Sequence, residues 1–328
     1  MKILVVGLGS MGKRRIRLMK TFRDSILIAG VDAVKERQNE SETLFDINTY
    51  TNLSEAIEIF SPDAAFVCSP PLTHALIIKT LLEKGIHVFS EINLVSTLYD
   101  ENIALAKEKG LILFLSSTPM YRKEIEYIKQ IVKDNNRLRY SYHVGQYLPD
   151  WHPWENYTDF FIGDKRTSGI RELLAIELPW IVNTFSDIES FEVNKGKITD
   201  LSIDYDDCYA LILIHKNKVV GQLTVDVVCR KPIRHLLVYG EDVYLEWSGT
   251  PSSLSYYDIQ GKQDVFVSCY EEVIHDPRYS SNILENAYIA EIDDFFSRID
   301  GTINTSRYSF SCDLNILELI DRIERRIV

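Results

Sequence analysis

Residues 2–12 read Lys2-Ile3-Leu4-Val5-Val6-Gly7-Leu8-Gly9-Ser10-Met11-Gly12, an apolar run that passes directly into a glycine-rich turn. This order predicts a buried strand, a phosphate-binding turn and a helix. Gly7 allows the tight turn, Gly9 lets the backbone approach a pyrophosphate, and Gly12 lets the helix pack close to the sheet. The alternative is a glycine turn in another kind of α/β protein. We predict a dinucleotide site that includes Gly7, Gly9, Ser10, Met11 and Gly12.

An acidic residue follows at the end of the second predicted strand, residues 26–31. Asp32 stands where a carboxylate accepts hydrogen bonds from the adenosine ribose 2′-hydroxyl and repels a 2′-phosphate. Ala33 follows directly, where an NADP-preferring site often carries an arginine. We therefore predict NAD as the cofactor. NADP is the alternative, because Lys35 and Arg37 lie close by.

Composition narrows the class of protein. The chain has 328 residues, of which 45% are hydrophobic and 26% are charged, as in a globular protein with room for two domains. Its formal net charge of −12 argues against nucleic-acid partners and anionic membranes. No apolar run reaches the roughly 18 residues that span a bilayer, and a strand that starts at residue 2 leaves no room for a signal peptide. We expect a cytoplasmic protein without membrane or nucleic-acid partners.

The five cysteines are scattered and form no CxxC pair. Such cysteines predict a reducing compartment and thiols that behave as small buried hydrophobic groups. The histidines and carboxylates likewise show no spacing typical of metal ligands. We therefore expect no bound metal.

Short apolar segments alternate with helical stretches from residue 1 to about 119. Strands are predicted at residues 2–6, 26–31, 64–68, 87–89 and 111–115. Strands that are buried on both faces and joined by helices indicate a doubly wound parallel sheet. We predict a Rossmann domain over residues 1–119, with its ligands at the carboxyl ends of the strands.

A different pattern begins at residue 120. Helices are predicted at about 121–134, 169–185, 285–299 and 313–327, and strands at 139–147, 209–215, 219–228, 233–239 and 243–247. Lys216-Asn217-Lys218 predicts a tight hairpin between two of these strands. Residues 120–328 are therefore predicted to form a substrate and oligomerisation domain with an open, mostly antiparallel sheet. An uncovered sheet face favours a homodimer or homotetramer.

Three motifs, in order, resemble those of the Gfo/Idh/MocA family, the sugar and cyclitol dehydrogenases related to glucose–fructose oxidoreductase and inositol dehydrogenase. Residues 67–74, VCSPPLTH, are similar to the family's TPxxxH turn, and residues 85–91, GIHVFSE, to its GKHVxxEKP strand. Residues 220–224 and 238–247 resemble strands of its second domain. The resemblance covers nearly the whole chain. It implies a nicotinamide between the two domains and a sugar, cyclitol or nucleotide sugar as substrate.

The resemblance also implies cofactor contacts in the first domain. Glu91 is expected to bond the ribose on the nicotinamide side, and His74 to orient the cofactor. The alternative for His74 is an ordinary residue near the start of a helix. Ser69 and Pro70 belong to the same turn and are predicted to bind the cofactor as well.

Two departures from the family pattern concern the chemistry. The lysine of the Glu-Lys-Pro motif is Ile92 here, and the histidine expected four residues after Glu172 is Ile176. In the family these residues handle the hydroxyl proton, and a positioned base is worth about 100- to 10,000-fold in rate. The chain has therefore either rebuilt its acid–base machinery or abandoned that chemistry.

Glu172 and His152 are the predicted replacements for the missing base. Glu172 shares a helix face with Ile176, and a carboxylate on an apolar stripe has a raised pKa that suits a general base. The alternative for Glu172 is a buried salt bridge. His152 is a candidate because an ordinary histidine changes its charge near neutral pH, and its alternative is a packing histidine.

An aromatic loop at residues 146–157 holds two tryptophans, two tyrosines and a histidine. Aromatic faces stack on sugar rings, although the loop is equally explained as a hydrophobic plug between the domains. Lys165, beside Arg166, is predicted to bind an anionic group, with a solvated pair as the alternative. The predicted substrate-binding residues are Asn93, Tyr121, Tyr147, Trp151, Trp154 and Lys165.

These features together predict an NAD(P)-dependent dehydrogenase that transfers a hydride between nicotinamide and a substrate hydroxyl or ketone. Two alternatives stay open. One is a catalytically silent NAD-binding protein with a regulatory or scaffolding role. The other is a redox-neutral lyase or hydrolase that works through a transient ketone.

Overall fold

The computed structural model describes residues 1–23, 25–135, 137–151 and 156–325. These residues form two compact units. The first consists of Met1–Thr118 and Tyr288–Asn315, and the second of Pro119–Ala287 and the described residues from Ile316 onward. The segment that begins at Tyr288 thus packs with the amino-terminal residues.

Strands and helices alternate through the first part of the chain. The strands are β1 (Lys2–Val6), β2 (Leu27–Val31), β3 (Asn48–Tyr50), β4 (Ala64–Val67), β5 (His87–Ser90) and β6 (Leu113–Leu115). The helices are α1 (Ser10–Phe22), α2 (Lys35–Phe45), α3 (Leu53–Phe60), α4 (Pro71–Glu83) and α5 (Tyr99–Glu108). The sheet order is β3-β2-β1-β4-β5-β6 with every pair parallel, which confirms the predicted doubly wound sheet.

The rest of the chain supplies a second sheet. The helices and strands of this part are, in chain order, α6 (Lys123–Val132), β7 (Arg139–Gly145), α7 (Gly169–Phe185), β8 (Ile188–Gly196), β9 (Cys208–His215), β10 (Val220–Asp226), β11 (Ile233–Tyr239), β12 (Tyr244–Trp247), β13 (Ser255–Asp258) and β14 (Gln263–Phe266). Two helices follow, α8 (Glu285–Ile299) and α9 (Phe310–Arg325). The strand order is β14-β13-β12-β11-β7-β10-β9-β8. The pairs are antiparallel except for β7 with β10, so the predicted mostly antiparallel sheet is confirmed.

The sequence patterns did not predict three strands of this sheet, β8, β13 and β14, or one strand of the first sheet, β3. The edge strand β3 has only three residues, which is too short for a periodic signal. β8, β13 and β14 lie at the two ends of the second sheet, and many of their side chains are exposed. Strands near the margin of a sheet have fewer buried side chains, so their sequences do not show the alternation of apolar and polar residues that predicts a strand.

The core of the first unit is aromatic. The Phe66 and Phe89 rings stack at 4.5 Å between centroids, and Phe89 stacks on Phe114 at 5.0 Å. Phe295 of α8 contacts all three rings. A helix from near the carboxyl end therefore covers part of the parallel sheet.

Helix α7 covers one face of the second sheet. Phe185 stacks on Tyr140 at 4.3 Å, and Trp180 meets Tyr142 edge-on at 5.3 Å. Side chains alternate along a strand, so His143 lies on the opposite, partly exposed face. The homodimer or homotetramer expected from an uncovered face stays a prediction. Within the described residues, no helix combines the length and apolar character needed to cross a bilayer.

Candidate functional site

The glycine-rich turn is crowded at Gly7 and Gly12 and open at Gly9. Gly7 has a φ of +95°, and a Cβ on it would lie 2.6 Å from the backbone nitrogen of Ser69. A Cβ on Gly12 would lie 1.9 Å from the Gly7 carbonyl oxygen. A Cβ on Gly9, by contrast, would meet no described atom within 4 Å. Crowding therefore explains Gly7 and Gly12, whereas the space at Gly9 is open to a phosphate.

Helix α1 begins at this turn. Gly9 is its N-cap and supplies no capping side chain, so the N–H groups of the first turn are left for another acceptor. Ser10 is exposed and Met11 is partly exposed at the start of the helix. A helix amino terminus with N–H groups available is a favourable place for an anion.

Asp32 is bonded directly to the glycine-rich turn. Its Oδ2 accepts the backbone N–H of Leu8 at 2.8 Å, and its Oδ1 accepts that of Val34 at 2.9 Å. Arg37 Nη1 lies 3.9 Å from Oδ2, and its side chain is 44% exposed. The predicted ribose-binding carboxylate thus lies beside the predicted phosphate turn, with one cation next to it.

His74 links two segments that follow neighbouring strands. Its Nε2 lies 2.6 Å from the Ser69 carbonyl oxygen, and its Nδ1 lies 2.7 Å from Asn93 Oδ1. Burial lowers the pKa of His74. Because both ring nitrogens are occupied, His74 is suited to orienting neighbours rather than to proton transfer. Pro70, the N-cap of α4, is exposed in the same turn.

Glu91 is held by an arginine that the sequence patterns did not single out. Arg15 Nε donates to Glu91 Oε1 at 2.6 Å, and Arg15 Nη2 donates to Glu291 Oε2 at 2.7 Å. The guanidinium lies over the Phe89 ring, 4.6 Å from its centroid. Burial raises the pKa of Glu291, against the opposing effect of Arg15. Glu91 is therefore fixed at the carboxyl end of β5, beside the partly exposed Ile92.

Glu172 lies in the first turn of α7, in the second unit. Ser168 caps this helix by accepting the backbone N–H of Arg171 at 3.1 Å. The Oε2 atom of Glu172 is buried and has no hydrogen-bond partner among the described residues. Burial raises the pKa of Glu172 to about 7. Glu172 also forms no ion pair within the described part of the chain, so the buried salt bridge considered as its alternative is not found there.

Glu177, also on α7, has partners for both of its carboxyl oxygens. Glu177 Oε2 accepts hydrogen bonds from Tyr142 at 2.8 Å and from Trp180 at 2.6 Å, and Oε1 pairs with Arg234. Glu177 is therefore a structural group, whereas Glu172, five residues earlier, retains an oxygen without a hydrogen-bond partner among the described residues.

Part of the aromatic loop lies against the start of α7. His152 and Trp154 lie outside the described residues. Trp151 donates its ring N–H to the Gln146 carbonyl at 3.0 Å, and its ring would lie 3.5 Å from a Cβ on Gly169. The loop therefore reaches the helical turn that carries Glu172.

An open cavity of about 560 Å³ lies beside Tyr147. Its wall includes Tyr157, Asp200, Val228 and Arg230. The Arg230 guanidinium lies over the Tyr147 ring, 3.6 Å from its centroid, and has no carboxylate partner among the described residues. Arg230 was not singled out from the sequence, because it is distant from Tyr147 along the chain.

The other predicted substrate residues differ in accessibility. Lys165 is exposed, and its neighbour Arg166 pairs with Asp164. Asn93 is 2% exposed and Tyr121 is 7% exposed. Asn93 Nδ2 is buried without a hydrogen-bond partner among the described residues. Elsewhere in the second unit, one group of potential metal ligands consists of His143, Asp226 and Cys229.

The first part of the chain matches a known family. Residues 1–117 match the GFO_IDH_MocA model, described as an oxidoreductase family with an NAD-binding Rossmann fold. Myo-inositol 2-dehydrogenase of Thermotoga maritima is 29% identical over 137 residues, which are 41% of this chain and 41% of that protein. The match thus spans less than half the length of this curated relative.

Solved structures resemble the chain over nearly its whole length. UDP-N-acetylglucosamine 3-dehydrogenase GnnA from Acidithiobacillus ferrooxidans has a TM-score of 0.75 and 17% identity, covering 99% of this chain and 96% of that one. The WlbA dehydrogenase from Bordetella pertussis, in complex with NADH and UDP-GlcNAcA, has a TM-score of 0.79 and 15% identity, covering 99% and 95%. At these identities the likeness concerns the fold.

The family match confirms the resemblance predicted from the sequence and, at the level of the family, the NAD cofactor. Residues 1–117 are therefore similar to the Gfo/Idh/MocA oxidoreductases with an NAD-binding Rossmann fold.

Proposed function

We propose that this protein is an NAD-dependent dehydrogenase that transfers a hydride between nicotinamide and a hydroxyl or ketone of a sugar, a cyclitol or a nucleotide sugar. The observation that carries the proposal is the buried, unpartnered carboxyl oxygen of Glu172. It offers an acid–base group to a chain in which Ile92 and Ile176 replace the family's usual lysine and histidine.

We assign NAD binding to residues of the first unit. The open turn at Gly9 and the N–H groups of α1 hold the pyrophosphate, and Asp32 accepts the ribose hydroxyls. Glu91 is held by Arg15 in a fixed position for the second ribose. His74 and Asn93 support the turn that carries Ser69 and Pro70.

NAD supplies the hydride acceptor when it is bound, so the remaining task is to move the hydroxyl proton. A carboxyl with a pKa of about 7 accepts that proton near neutral pH and returns it in the reverse direction. Oε2 of Glu172 is available for this exchange because no other described group bonds it. His152 is the second candidate for the same role.

A nucleotide sugar is the substrate class that we favour. A cation stacked on an aromatic ring suits a ligand with a phosphate next to a planar or cyclic group. Arg230 over Tyr147 provides this pair at the cavity. The roles of Trp151, Trp154 and Lys165 in substrate binding stay predictions. Two solved structures with this fold have names that include a UDP-linked sugar, which supports the choice.

The direct test is turnover with the purified chain. NAD is incubated with free sugars, cyclitols and UDP-sugars, and NADH absorbance and the product mass are followed together. Substrate-dependent NADH formation is the expected result. Coenzyme binding without turnover on any substrate would favour the silent NAD-binding alternative. Product without net NADH would favour the redox-neutral alternative.

A further inference from the structure

Three side chains with metal-binding atoms meet near the carboxyl ends of β7 and β10, two neighbouring inner strands of the second sheet. His143 Nε2 lies 2.6 Å from Asp226 Oδ2, and Cys229 Sγ lies 3.4 Å from that oxygen and 3.8 Å from His143 Nε2. They meet because β7 and β10 run parallel, with Gly145 opposite Asp226. No other such group of three in the described part of the chain has its ligand atoms within 4.8 Å of one another.

The backbone orients the central carboxylate of this cluster. Oδ1 of Asp226 accepts the N–H groups of Val228 at 2.9 Å and Cys229 at 2.8 Å, so Oδ2 is left to face the other two side chains. Asp226 is only 2% exposed. A Cβ at Gly145 would lie 2.4 Å from Oδ2, so the glycine makes room for the carboxylate. Ligands held by a further set of hydrogen bonds are typical of metal sites.

We propose that His143, Asp226 and Cys229 bind a zinc ion, with water as the fourth ligand. An imidazole, a thiolate and a carboxylate together favour zinc over magnesium or calcium, which prefer oxygen ligands. In tetrahedral zinc sites the bonds from metal to ligand are about 2.0–2.3 Å long. The distances from Cys229 Sγ to Asp226 Oδ2 and to His143 Nε2 agree with that geometry. His143 and Asp226 need to move apart by less than about 1 Å to admit the ion.

Zinc binding displaces a proton and a hydrogen bond within the cluster. The ion replaces the thiol proton of Cys229, which passes to solvent, and it replaces the direct hydrogen bond between His143 and Asp226. The side chain of His143 is 32% exposed, so the ion has a path to the cluster.

The cluster lies next to a wall of the cavity described above. Tyr147 donates its backbone N–H to the Cys229 carbonyl at 2.7 Å, and Leu148 donates to Val227 at 2.9 Å. Val228 and Arg230, on either side of Cys229, line the cavity. Zinc at Cys229 therefore stiffens this wall. Removal of the ion is expected to lower the affinity of the cavity for its ligands and to leave NAD affinity unchanged.

The test uses the full chain, stripped with a chelator and then supplied with zinc alone. Bound zinc is counted by mass spectrometry after desalting, and affinity is measured by competition with a chromophoric chelator. The parent is expected to hold about one ion per chain. Cys229→Ser and His143→Ala are expected to weaken binding by at least about 100-fold, more than the loss of a supporting hydrogen bond.

Two matched variants control for nonspecific binding. Cys208→Ser removes the thiol opposite Asp226 in the β9–β10 register, and His235→Ala removes the cross-strand neighbour of His143. Both are expected to keep the parent's affinity. A parent that holds no zinc, or a Cys208 variant that loses as much as the Cys229 variant, overturns the proposal.

Cobalt bound to the parent gives a readout that does not depend on how well the Cys229 and His143 variants fold. Co²⁺ bound to the parent and to Cys208→Ser is expected to show a thiolate-to-cobalt charge-transfer band. The absence of that band from the parent excludes Cys229 as a ligand and overturns the proposed site. Neither measurement involves NAD or turnover, so the zinc site and the dehydrogenase activity can fail separately.

Discussion

The backbone N–H of Leu8 donates to Asp32 Oδ2 at 2.8 Å. This bond joins the glycine-rich turn to the end of the second strand, so the carboxylate that is proposed to select the ribose also supports the turn. Arg37 Nη1 lies 3.9 Å from the same oxygen, and its positive charge favours a 2′-phosphate. We therefore expect the preference between NAD and NADP to depend on these two side chains.

We expect Asp32→Ala to weaken NAD binding by about 10- to 100-fold, the range for losing hydrogen bonds to a charged group. The same change should relax discrimination against NADP, because Arg37 no longer has a carboxylate beside it. Titration calorimetry with both coenzymes measures the two affinities. Arg37→Ala is the matched control and should weaken NADP while leaving NAD unchanged. An unaltered coenzyme preference in the Asp32 variant would mean that this carboxylate does not contact the ribose.

Glu172→Gln should lower kcat/KM by at least about 100-fold if Glu172 takes the hydroxyl proton. The amide has nearly the same shape but does not exchange a proton near neutral pH. NAD affinity should be unchanged, which separates loss of chemistry from loss of cofactor. Glu318→Gln, at an exposed position of α9, is the control. A near-normal rate in the Glu172 variant would transfer the role to His152 or to another group.

Glu172 also predicts a pH dependence of stability that needs no substrate. Its pKa is raised by burial to about 7, so the folded state binds the proton more tightly than the unfolded chain does. This contribution is fully present below the ordinary glutamate pKa and is lost as the pH rises toward 7. Between pH 5.5 and 8, Glu172→Gln should gain roughly 2 kcal/mol in unfolding free energy relative to the parent. Urea unfolding at both pH values measures the difference, and Glu318→Gln should show none.

Arg15→Met should destabilise the first unit by about 3–5 kcal/mol, because it leaves Glu91 and Glu291 buried without their cation. Glu291→Gln in the same chain removes one of the unpaired charges and should recover part of the loss. Urea unfolding of the single and double variants measures both changes. Equal stability of the parent and Arg15→Met would show that the buried pairs contribute nothing net.

Arg230→Ala should raise KM for a UDP-sugar by about 10-fold or more while leaving NAD affinity unchanged, since a charge-assisted contact is worth about 1.5–3 kcal/mol. Steady-state kinetics with a UDP-sugar and with the corresponding free sugar measures the effect. The free sugar lacks the phosphates and should be affected less. The same rise for both substrates would argue against phosphate recognition by Arg230.

The sequence by itself determined the features that depend on local order. The strand, glycine-rich turn and helix at residues 2–22 follow from apolar runs and from the steric needs of glycine. Alternating strands and helices specified the parallel sheet, and alternating side chains specified most of the antiparallel one. The motifs at residues 67–74 and 85–91 carried the family resemblance, because each lies within one turn or strand.

Only the tertiary structure decided which distant side chains meet. Arg15 and Glu291 are 276 residues apart along the chain, and His143 and Asp226 are 83 apart. No short spacing encodes such contacts, because they depend on which strands become neighbours and which helix returns to cover them. The environment of Glu172 is similar: the sequence placed it on a helix, but burial by surrounding residues raised its pKa. Burial is a property of packing, and packing is complete only when the whole chain has folded.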